Sequence, residues 1–254
     1  MIKILLNGIN GRMGKTIENL SLNYDNLKIS CGVDNVVTKN STTPTYQNIN
    51  DVKEDVDVII DFSHPNSLDE LLDYAIKNKI GIVLCTTGHT KEQLEKIKNA
   101  SKEIPIFMSY NMSIGINVLQ ILIQKGLQAL YKDYDIEITE KHHNQKLDSP
   151  SGTAIMLMNT IQDFVKQNFN EEVIFNHGRL GEKKREAKEI GVHAIRAGNI
   201  IGEHEVMFAG NNEIIELKHT ALSRDVFAQG ALKAALYLHG KEPKIYDMNS
   251  MLNL

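Results

Sequence analysis

The chain of 254 residues has little cysteine, no excess of basic charge and no long hydrophobic run. Its two cysteines, Cys31 and Cys85, are far apart and form no Cys-x-x-Cys pair, a usage typical of the reducing cytoplasm. The net charge of −4 gives no bulk attraction to nucleic acid or to an anionic membrane. No apolar run reaches bilayer length, and the amino terminus lacks the features of a signal peptide. We therefore expect a cytoplasmic protein that binds neither nucleic acid nor membrane.

Zinc-type pairs of cysteine or histidine are also lacking, because the histidines outside one adjacent pair are scattered along the chain. We expect no metal site. What the first part of the sequence does contain is a regular alternation of strand-like and helix-like patterns. This alternation predicts a parallel sheet with right-handed crossovers and with ligands at the carboxyl ends of its strands. The predicted strands are Ile2–Leu6, Leu27–Val33, Val56–Asp61, Gly81–Leu84 and Ile104–Met108.

One segment of this first part, Asn35 to Asn50, is rich in Thr and Asn and has no periodicity. We interpret it as an exposed excursion between the second and third strands.

After residue 113 the pattern changes to a long apolar helix, Ile114–Tyr131, and then to an alternating strand, Asp135–Glu140. Three later strand-like stretches separated by glycine turns predict an antiparallel meander. These stretches are Ile190–Arg196, His204–Phe208 and Glu213–Leu217. The last helix, 225–238, is expected to return to the first domain.

The fold class expected is therefore α/β: a Rossmann-type parallel-sheet domain plus a second α+β domain with a mixed or antiparallel sheet. The first domain is predicted to be discontinuous, with residues 1–113 and 223–254 binding a dinucleotide. Residues 114–222 are predicted to bind the substrate.

A glycine-rich turn, Gly8-Ile9-Asn10-Gly11-Arg12-Met13-Gly14, follows the first strand and precedes a helix. A tight turn and close approach to a pyrophosphate both favour glycine, and the helix directs free N–H groups at the phosphates. Asp34 ends the second strand, where an acid bonds the ribose hydroxyls of a dinucleotide. The alternative is a turn that serves only chain reversal. Because Asp34 repels a 2′-phosphate, which Arg12 or Lys39 could offset, we expect NADH to be used at least as well as NADPH.

A second motif begins at Glu140, where His142, His143 and Lys146 stand just ahead of a predicted helix. Ser149 or Ser151 can act as its N-cap, with Pro150 suited to the first helical position, which leaves N–H groups free around Gly152 and Thr153. Imidazoles, an ammonium and a helix N-terminus predict a small carboxylate ligand that needs a proton. The alternative is that the His-His pair is ordinary surface.

Taken together, these motifs resemble the 4-hydroxy-tetrahydrodipicolinate reductase (dihydrodipicolinate reductase) family over essentially the whole chain. The most specific part is Glu140-x-His142-His143-x-x-Lys146-x-Asp148-x-Pro150-Ser151-Gly152-Thr153-Ala154. Cys85-Thr86-Thr87-Gly88, Asn111-Met112-Ser113 and Arg196-Ala-Gly198 also fit. The sequence departs from the family pattern where Cys85 replaces a usual glycine, His89 a usual aromatic residue, and Tyr110 and Met112 the common Ala and Phe.

The resemblance implies reduction of a cyclic unsaturated dicarboxylate by NADH or NADPH in lysine and diaminopimelate biosynthesis. It implies that His142 and Lys146 supply the proton and that His143, Gly152 and Thr153 bind the substrate. It also implies a homotetramer joined through the second domain's sheet. The residues it assigns to the cofactor are Gly8, Ile9, Asn10, Gly11, Arg12, Met13, Asp34, Cys85, Thr86, Thr87, Tyr110, Asn111, Met112 and Ser113.

Two other functions fit part of the sequence. Another two-domain Rossmann oxidoreductase, such as an amino-acid dehydrogenase, explains the first half equally well but gives no reason for the His-His-x-x-Lys motif. A catalytically inactive dinucleotide sensor has no need for proton donors beside an anion site.

Overall fold

The computed structural model describes residues 1–36 and 42–253. The chain divides into two compact units, one made of residues 1–114 and 224–254 and the other of residues 115–223. In the described part of the chain, no helix is both long enough and apolar enough to cross a membrane.

The secondary structure of the described residues comprises twelve strands and seven α-helices. In chain order they are β1 (Ile2–Asn7), α1 (Arg12–Ser21), β2 (Leu27–Val33), β3 (Thr45–Tyr46), β4 (Val58–Asp61), α2 (Leu68–Asn78), β5 (Gly81–Leu84), α3 (Lys91–Ala100), β6 (Ile106–Met108), α4 (Ile114–Leu130), β7 (Asp135–His142), α5 (Gly152–Phe169), β8 (Ile174–Asn176), β9 (Glu189–Arg196), β10 (Gly202–Ala209), β11 (Ile214–Ala221), α6 (Asp225–Leu238), β12 (Ile245–Tyr246) and α7 (Met248–Leu252).

The first unit is built on a parallel sheet, which the described residues form in the order β12-β6-β5-β4-β1-β2-β3. Its central strands β4 and β5 are buried along their whole length, because apolar clusters cover both faces of the sheet. The strand order reverses at β1, so the carboxyl ends of β1 and β4 flank a crevice of the kind that binds ligands in open α/β sheets. The predicted Rossmann-type domain is confirmed.

The segment between β2 and β4 differs in part from its prediction as an exposed excursion. Thr45 and Tyr46 pair with the end of β2, and Ile49 is buried in the apolar cluster that also contains Val33. Residues 37–41 of the predicted excursion, including Lys39, lie outside the described residues.

The second unit contains a mixed sheet in the order β11-β10-β7-β9-β8, with α4 and α5 packed on one face. The predicted second domain with a mixed sheet is thereby confirmed, but the antiparallel meander of its last three strands is wrong. β10 and β11 do pair antiparallel, whereas β9 lies on the other side of β7 and runs parallel to it. The turn after β9 bonds to the end of β7 instead of closing a hairpin: Ala197 N–H donates to the carbonyl of His142 at 2.9 Å.

Candidate active site

The glycine turn of the first unit is tight because backbone atoms occupy the space where side chains would stand. Gly8 has φ +84°, and a Cβ there would lie 2.5 Å from the carbonyl oxygen of Phe62. A Cβ on Gly14 would lie 2.2 Å from the carbonyl oxygen of Gly8. Helix α1 begins directly after this turn, and its N-cap Gly11 provides no side-chain hydrogen bond to the first turn. The first N–H groups of α1 therefore face the turn without a side-chain cap, as an anion site requires.

Asp34 connects the end of β2 to this turn. Its Oδ2 accepts a hydrogen bond from the N–H of Asn10 at 2.9 Å, and its Oδ1 accepts one from the N–H of Val36 at 3.1 Å. The acidic group and the glycine turn are thus held at one edge of the sheet, although 24 residues separate Asn10 from Asp34. Ile9, between Gly8 and Asn10, is buried in the core, so only its backbone faces the turn.

A cavity of about 630 Å³ opens at the carboxyl ends of β1, β2 and β4. It joins the glycine turn and Asp34 in one concave surface that is large enough for part of a dinucleotide. Its lining residues are Asn7, Gly8, Gly11, Val33, Asp34, Asn35, Gln47, Ile49, Phe62, Ser63, His64, Asn66, Ser67, Glu70 and Leu71.

A second cavity of about 620 Å³ lies next to the first, and both are lined by Phe62, Ser63, His64 and Asn66. The loop after β5 provides its other side, so three of the residues assigned to the cofactor lie here. The remaining lining residues are Pro65, Cys85, Thr86, Thr87, Gly88, Thr90 and Gln93.

The loop after β6 is a different case, because its residues line neither of these two cavities. Tyr110 is exposed, whereas Met112 and Ser113 are buried. Met112 packs in the core, where a Cβ on Gly230 of α6 would lie 1.7 Å from its carbonyl oxygen. Asn111 closes the loop by accepting the N–H of Ser113 at 2.8 Å.

In the second unit, a buried carboxylate organises the predicted His-His-x-x-Lys motif. Arg196 donates to both oxygens of Glu140, at 2.8 Å and 2.7 Å, and the Nδ1 of His142 lies 2.6 Å from Glu140 Oε2. The N–H of Ser151 donates to Glu140 Oε1 at 3.0 Å. Burial by itself raises the pKa of Glu140, but the bonds from His142, Arg196 and Ser151 outweigh it and lower the pKa to about 2. Glu140 is therefore a carboxylate at neutral pH.

His142 lies on the inner face of β7 with Glu140 on one side and a second imidazole on the other. The ring of His204 is 5.1 Å away and nearly edge-on, and its Nε2 is 3.0 Å from the hydroxyl of Ser151. Burial, followed by the charge of His142, lowers the pKa of His204 to about 3, so His204 is neutral. The carboxylate at Nδ1 favours the Nδ1–H tautomer of His142, which leaves Nε2 as the second nitrogen of the ring. His142 is thus the imidazole of the pair that is equipped to exchange a proton.

The other predicted residues of this motif lie around the start of α5. Ser151 is the N-cap, and its hydroxyl accepts the N–H of Ala154 at 3.2 Å. Pro150 lies before this N-cap and Gly152 is the first helical residue, so the prediction that Pro150 takes the first helical position is wrong. No atom lies within 4 Å of an ideal Cβ on Gly152, which leaves open space before the first turn. Lys146 pairs with Asp148 at 2.8 Å and keeps about a fifth of its side chain exposed.

Three residues of this cluster received no individual role in the sequence analysis: Glu140, Arg196 and His204. Glu140 could have been found, because alternate residues of a strand share a face and Glu140 is two residues before His142. Arg196 carries no such local signal. It reaches the cluster because β9 pairs with β7 and sets Arg196 opposite His142.

Two features define the class of this protein. The first unit has a parallel sheet with a glycine turn and an acid after its second strand, and the second unit has a histidine cluster beside a helix start. That class is the two-domain oxidoreductases that use a nicotinamide cofactor. The comparisons with known proteins give the family. Residues 2–112 match the family model described as dihydrodipicolinate reductase, N-terminus, and residues 115–252 match the one described as dihydrodipicolinate reductase, C-terminus. The chain belongs to the dihydrodipicolinate reductase family.

Individual relatives are similar over their whole length. The 4-hydroxy-tetrahydrodipicolinate reductase of Clostridium novyi (strain NT) is 52% identical over 252 residues, covering 99% of this chain and 98% of that one. The enzyme of the same name from Clostridium tetani (strain Massachusetts / E88) is 51% identical over 253 residues, covering 100% and 98%. The solved structure of dipicolinate-bound dihydrodipicolinate reductase from Paenisporosarcina sp. TG-14 has a TM-score of 0.80 at 22% identity and covers 98% of each chain, which supports the fold.

Proposed function

We propose that this protein reduces 4-hydroxy-tetrahydrodipicolinate to tetrahydrodipicolinate with NADH or NADPH, a step of lysine and diaminopimelate biosynthesis. The observation that carries the proposal is the cluster of Glu140, His142 and Arg196 at the start of α5. It combines a group able to exchange a proton with a helix N-terminus suited to a carboxylate. The relatives that share half of the sequence bear the name of this activity.

The first unit is proposed to bind the cofactor. The backbone of residues 8–13 would hold the pyrophosphate, because the tight turn and the uncapped start of α1 offer N–H groups without side-chain obstruction. Asp34 would accept the ribose hydroxyls, and Cys85, Thr86 and Thr87 would line the nicotinamide end together with residues 110–113. When bound, the reduced nicotinamide supplies a hydride. The two cavities support the roles given to the glycine turn, to Asp34 and to Cys85, Thr86 and Thr87.

The second unit is proposed to bind the cyclic dicarboxylate and to protonate it. His143, Gly152 and Thr153 would hold its carboxylates at the start of α5, where the open space before Gly152 admits them. Hydride addition to a ring carbon conjugated to an imine leaves electron density on an enamine-like system, which must take up a proton. His142 or Lys146 would supply that proton. Glu140 would keep His142 in the tautomer and orientation that the transfer needs.

A coupled assay tests the reaction itself. Aspartate semialdehyde, pyruvate and the preceding synthase generate the unstable substrate, and oxidation of NADH or NADPH reports its reduction. Oxidation should depend on pyruvate, on the synthase and on this protein. Cofactor oxidation no faster than in the enzyme-free mixture would contradict the proposal. Oxidation of an amino acid in place of this reaction would favour an amino-acid dehydrogenase.

Asp34 is expected to set the balance between the two cofactors. Asp34→Ala should raise the ratio of kcat/KM for NADPH to that for NADH by about tenfold, because it removes a negative charge that faces the 2′-phosphate. A tenfold change needs only about 1.4 kcal/mol of repulsion. Asp25→Ala is the matched control, since Asp25 is an exposed acid before the same strand. An unchanged ratio in Asp34→Ala would remove Asp34 from the ribose site.

The assembly and the location of the protein are part of the proposal. We propose a homotetramer joined through the sheet of the second unit, whose edge strand β11 exposes Ile214 and Ile215. Light scattering of the purified protein should give four chains of 28.6 kDa each. A cytoplasmic location is supported by the two cysteines, Cys31 and Cys85, which are both buried and unpaired.

A further inference from the structure

A buried carboxyl group stands at the end of β4, between the two cavities of the first unit. Asp61 is 2% exposed, although the other three residues of β4 are apolar. Burying a carboxyl group is costly unless it is hydrogen-bonded, and a strand end in an apolar core does not require one. The proposed reaction and its cofactor residues leave Asp61 without a role.

Hydrogen bonds to Asp61 come from two neighbouring parts of the unit. The side-chain amide of Asn7, the last residue of β1, donates to Asp61 Oδ1 at 2.8 Å. The hydroxyl of Ser63 donates to the same oxygen at 2.5 Å, and the N–H of Ser63 lies 3.3 Å from it. The Ser63 N–H also donates to the hydroxyl of Thr86, after β5, at 3.1 Å. The cluster therefore connects the carboxyl ends of three adjacent strands, β1, β4 and β5.

The cluster fixes the loop that separates the two cavities. Phe62, Ser63, His64 and Asn66 line both cavities, so this loop is their common wall. Within the loop, the hydroxyl of Ser63 is 2.8 Å from that of Ser67. Ser63 is thus held from both sides, by Asp61 beneath it and by Ser67 at the end of the loop. Movement of Ser63 would change the shape of both cavities together.

We propose that Asp61 is a positioning residue for the cofactor: it holds the loop 62–66 where the glycine turn and the loop after β5 can bind one dinucleotide together. The inference rests on the proposed function, because it takes both cavities to be parts of one cofactor site. It concerns the first unit alone and leaves the proton chemistry of His142 untouched.

The surroundings of Asp61 indicate which substitution it should tolerate. Burial raises the pKa of Asp61, an effect that the bonds from Ser63, Thr86 and Asn7 oppose only in part. The amide of Asn7 and the hydroxyl of Ser63 both donate to Oδ1, and an amide of the same shape also provides this acceptor. Asparagine should therefore replace Asp61 with little loss.

The test is direct binding of NADH, measured by calorimetry, to Asp61→Ala and Asp61→Asn variants of the full chain. Asp61→Ala should raise the Kd for NADH by about tenfold or more, because the loop loses its anchor. Asp61→Asn should keep the Kd within about threefold of the unsubstituted value, since its amide oxygen can accept from Asn7 and Ser63. Neither should change the KM for the cyclic dicarboxylate by more than about twofold.

Two further variants separate positioning from general stability. Ile97→Ala truncates a buried side chain of α3 in the same unit and should lower the melting temperature without changing the Kd of the folded protein. Ser63→Ala removes the hydroxyl that bonds to Asp61 and keeps the carboxyl group, so it should also raise the Kd for NADH. It provides the test if Asp61→Ala does not fold. An unchanged Kd for NADH in Asp61→Ala would overturn the inference. If Asp61→Ala does not fold, an unchanged Kd in Ser63→Ala would do so. Neither result would contradict the proposed function, provided that the unsubstituted protein reduces its substrate. Failure of the unsubstituted protein to bind either NADH or NADPH would overturn both the inference and the proposed function.

Discussion

Replacing His142 with glutamine should lower kcat by about two to four orders of magnitude, which is the usual contribution of a positioned proton donor or acceptor. Glutamine keeps the approximate size of the imidazole and can still bond to Glu140, but it cannot exchange a proton near neutral pH. The KM for NADH should stay within about twofold, because the cofactor residues belong to the other unit. Steady-state kinetics with the enzymatically generated substrate measures both quantities.

A matched control is His239→Gln, because His239 is an exposed histidine that follows α6 in the first unit. It should leave kcat unchanged. Lys146→Ala should also lower kcat far more than it affects the KM for NADH. The pH profiles of kcat for His142→Gln and Lys146→Ala identify the donor, since the limb that belongs to the donor disappears when the donor is removed. A kcat within about threefold of normal in both variants would refute the roles proposed for this pair.

The fold of the first unit could be predicted because its strands carry a local signal. The bounds 27–33 and 81–84 were predicted correctly for β2 and β5, because apolar residues alternate along β2 and form a continuous run in β5. β3 and β12 have two residues each, too short for any periodicity, and depend on pairing with β2 and β6.

In the second unit four of the five strands were predicted, all but the three-residue β8, and the position of one of the four was wrong. β9 has the apolar alternation of a strand, and the glycine after it indicates a turn. Neither signal specifies the neighbouring strand. β7 lies between β9 and β10, so the chain after β9 crosses the end of β7 before it enters β10. Strand order of this kind is decided by long-range pairing, which the local pattern does not contain.

In the candidate sites too, features carried by a short segment could be predicted, whereas features that depend on long-range pairing could not. The glycine turn and the start of α5 could be predicted because short segments of the chain carry them. The bond between Asn10 and Asp34 agrees with the expected neighbourhood of turn and acid. The clamp of Arg196 on Glu140 depends on the register of β7 against β9. The sequence therefore predicted a role for His142 but not the Glu140–Arg196 pair that holds its ring.

Replacing Arg196 with methionine should destabilise the second unit by roughly 3–5 kcal/mol near neutral pH, because the buried Glu140 carboxylate then lacks the guanidinium that bonds to both of its oxygens. Methionine preserves much of the side-chain length, so the loss reports the guanidinium. Hydrogen exchange of the β7 and β9 amides measures the free energy of opening of this unit. Arg185→Met is the matched control: Arg185 is about as exposed as Arg196 and also pairs with a carboxylate on β7, but that carboxylate, Glu137, stays partly exposed. Arg185→Met should lower the opening free energy clearly less than Arg196→Met does.

The effect of Arg196→Met should also depend on pH, with a sign that follows from Glu140. In the unsubstituted protein the pKa of Glu140 falls from 4.5 to about 2 on folding. The ionised carboxylate therefore adds stability above about pH 4.5, and this contribution is lost as the pH falls toward 2. Without Arg196 the folded protein no longer favours the ionised form to the same degree. The difference in opening free energy between the two proteins should therefore be largest at neutral pH and should shrink as the pH is lowered below about 4.5. A difference that stays constant over this range would mean that Arg196 stabilises the unit by packing and not through the charge of Glu140.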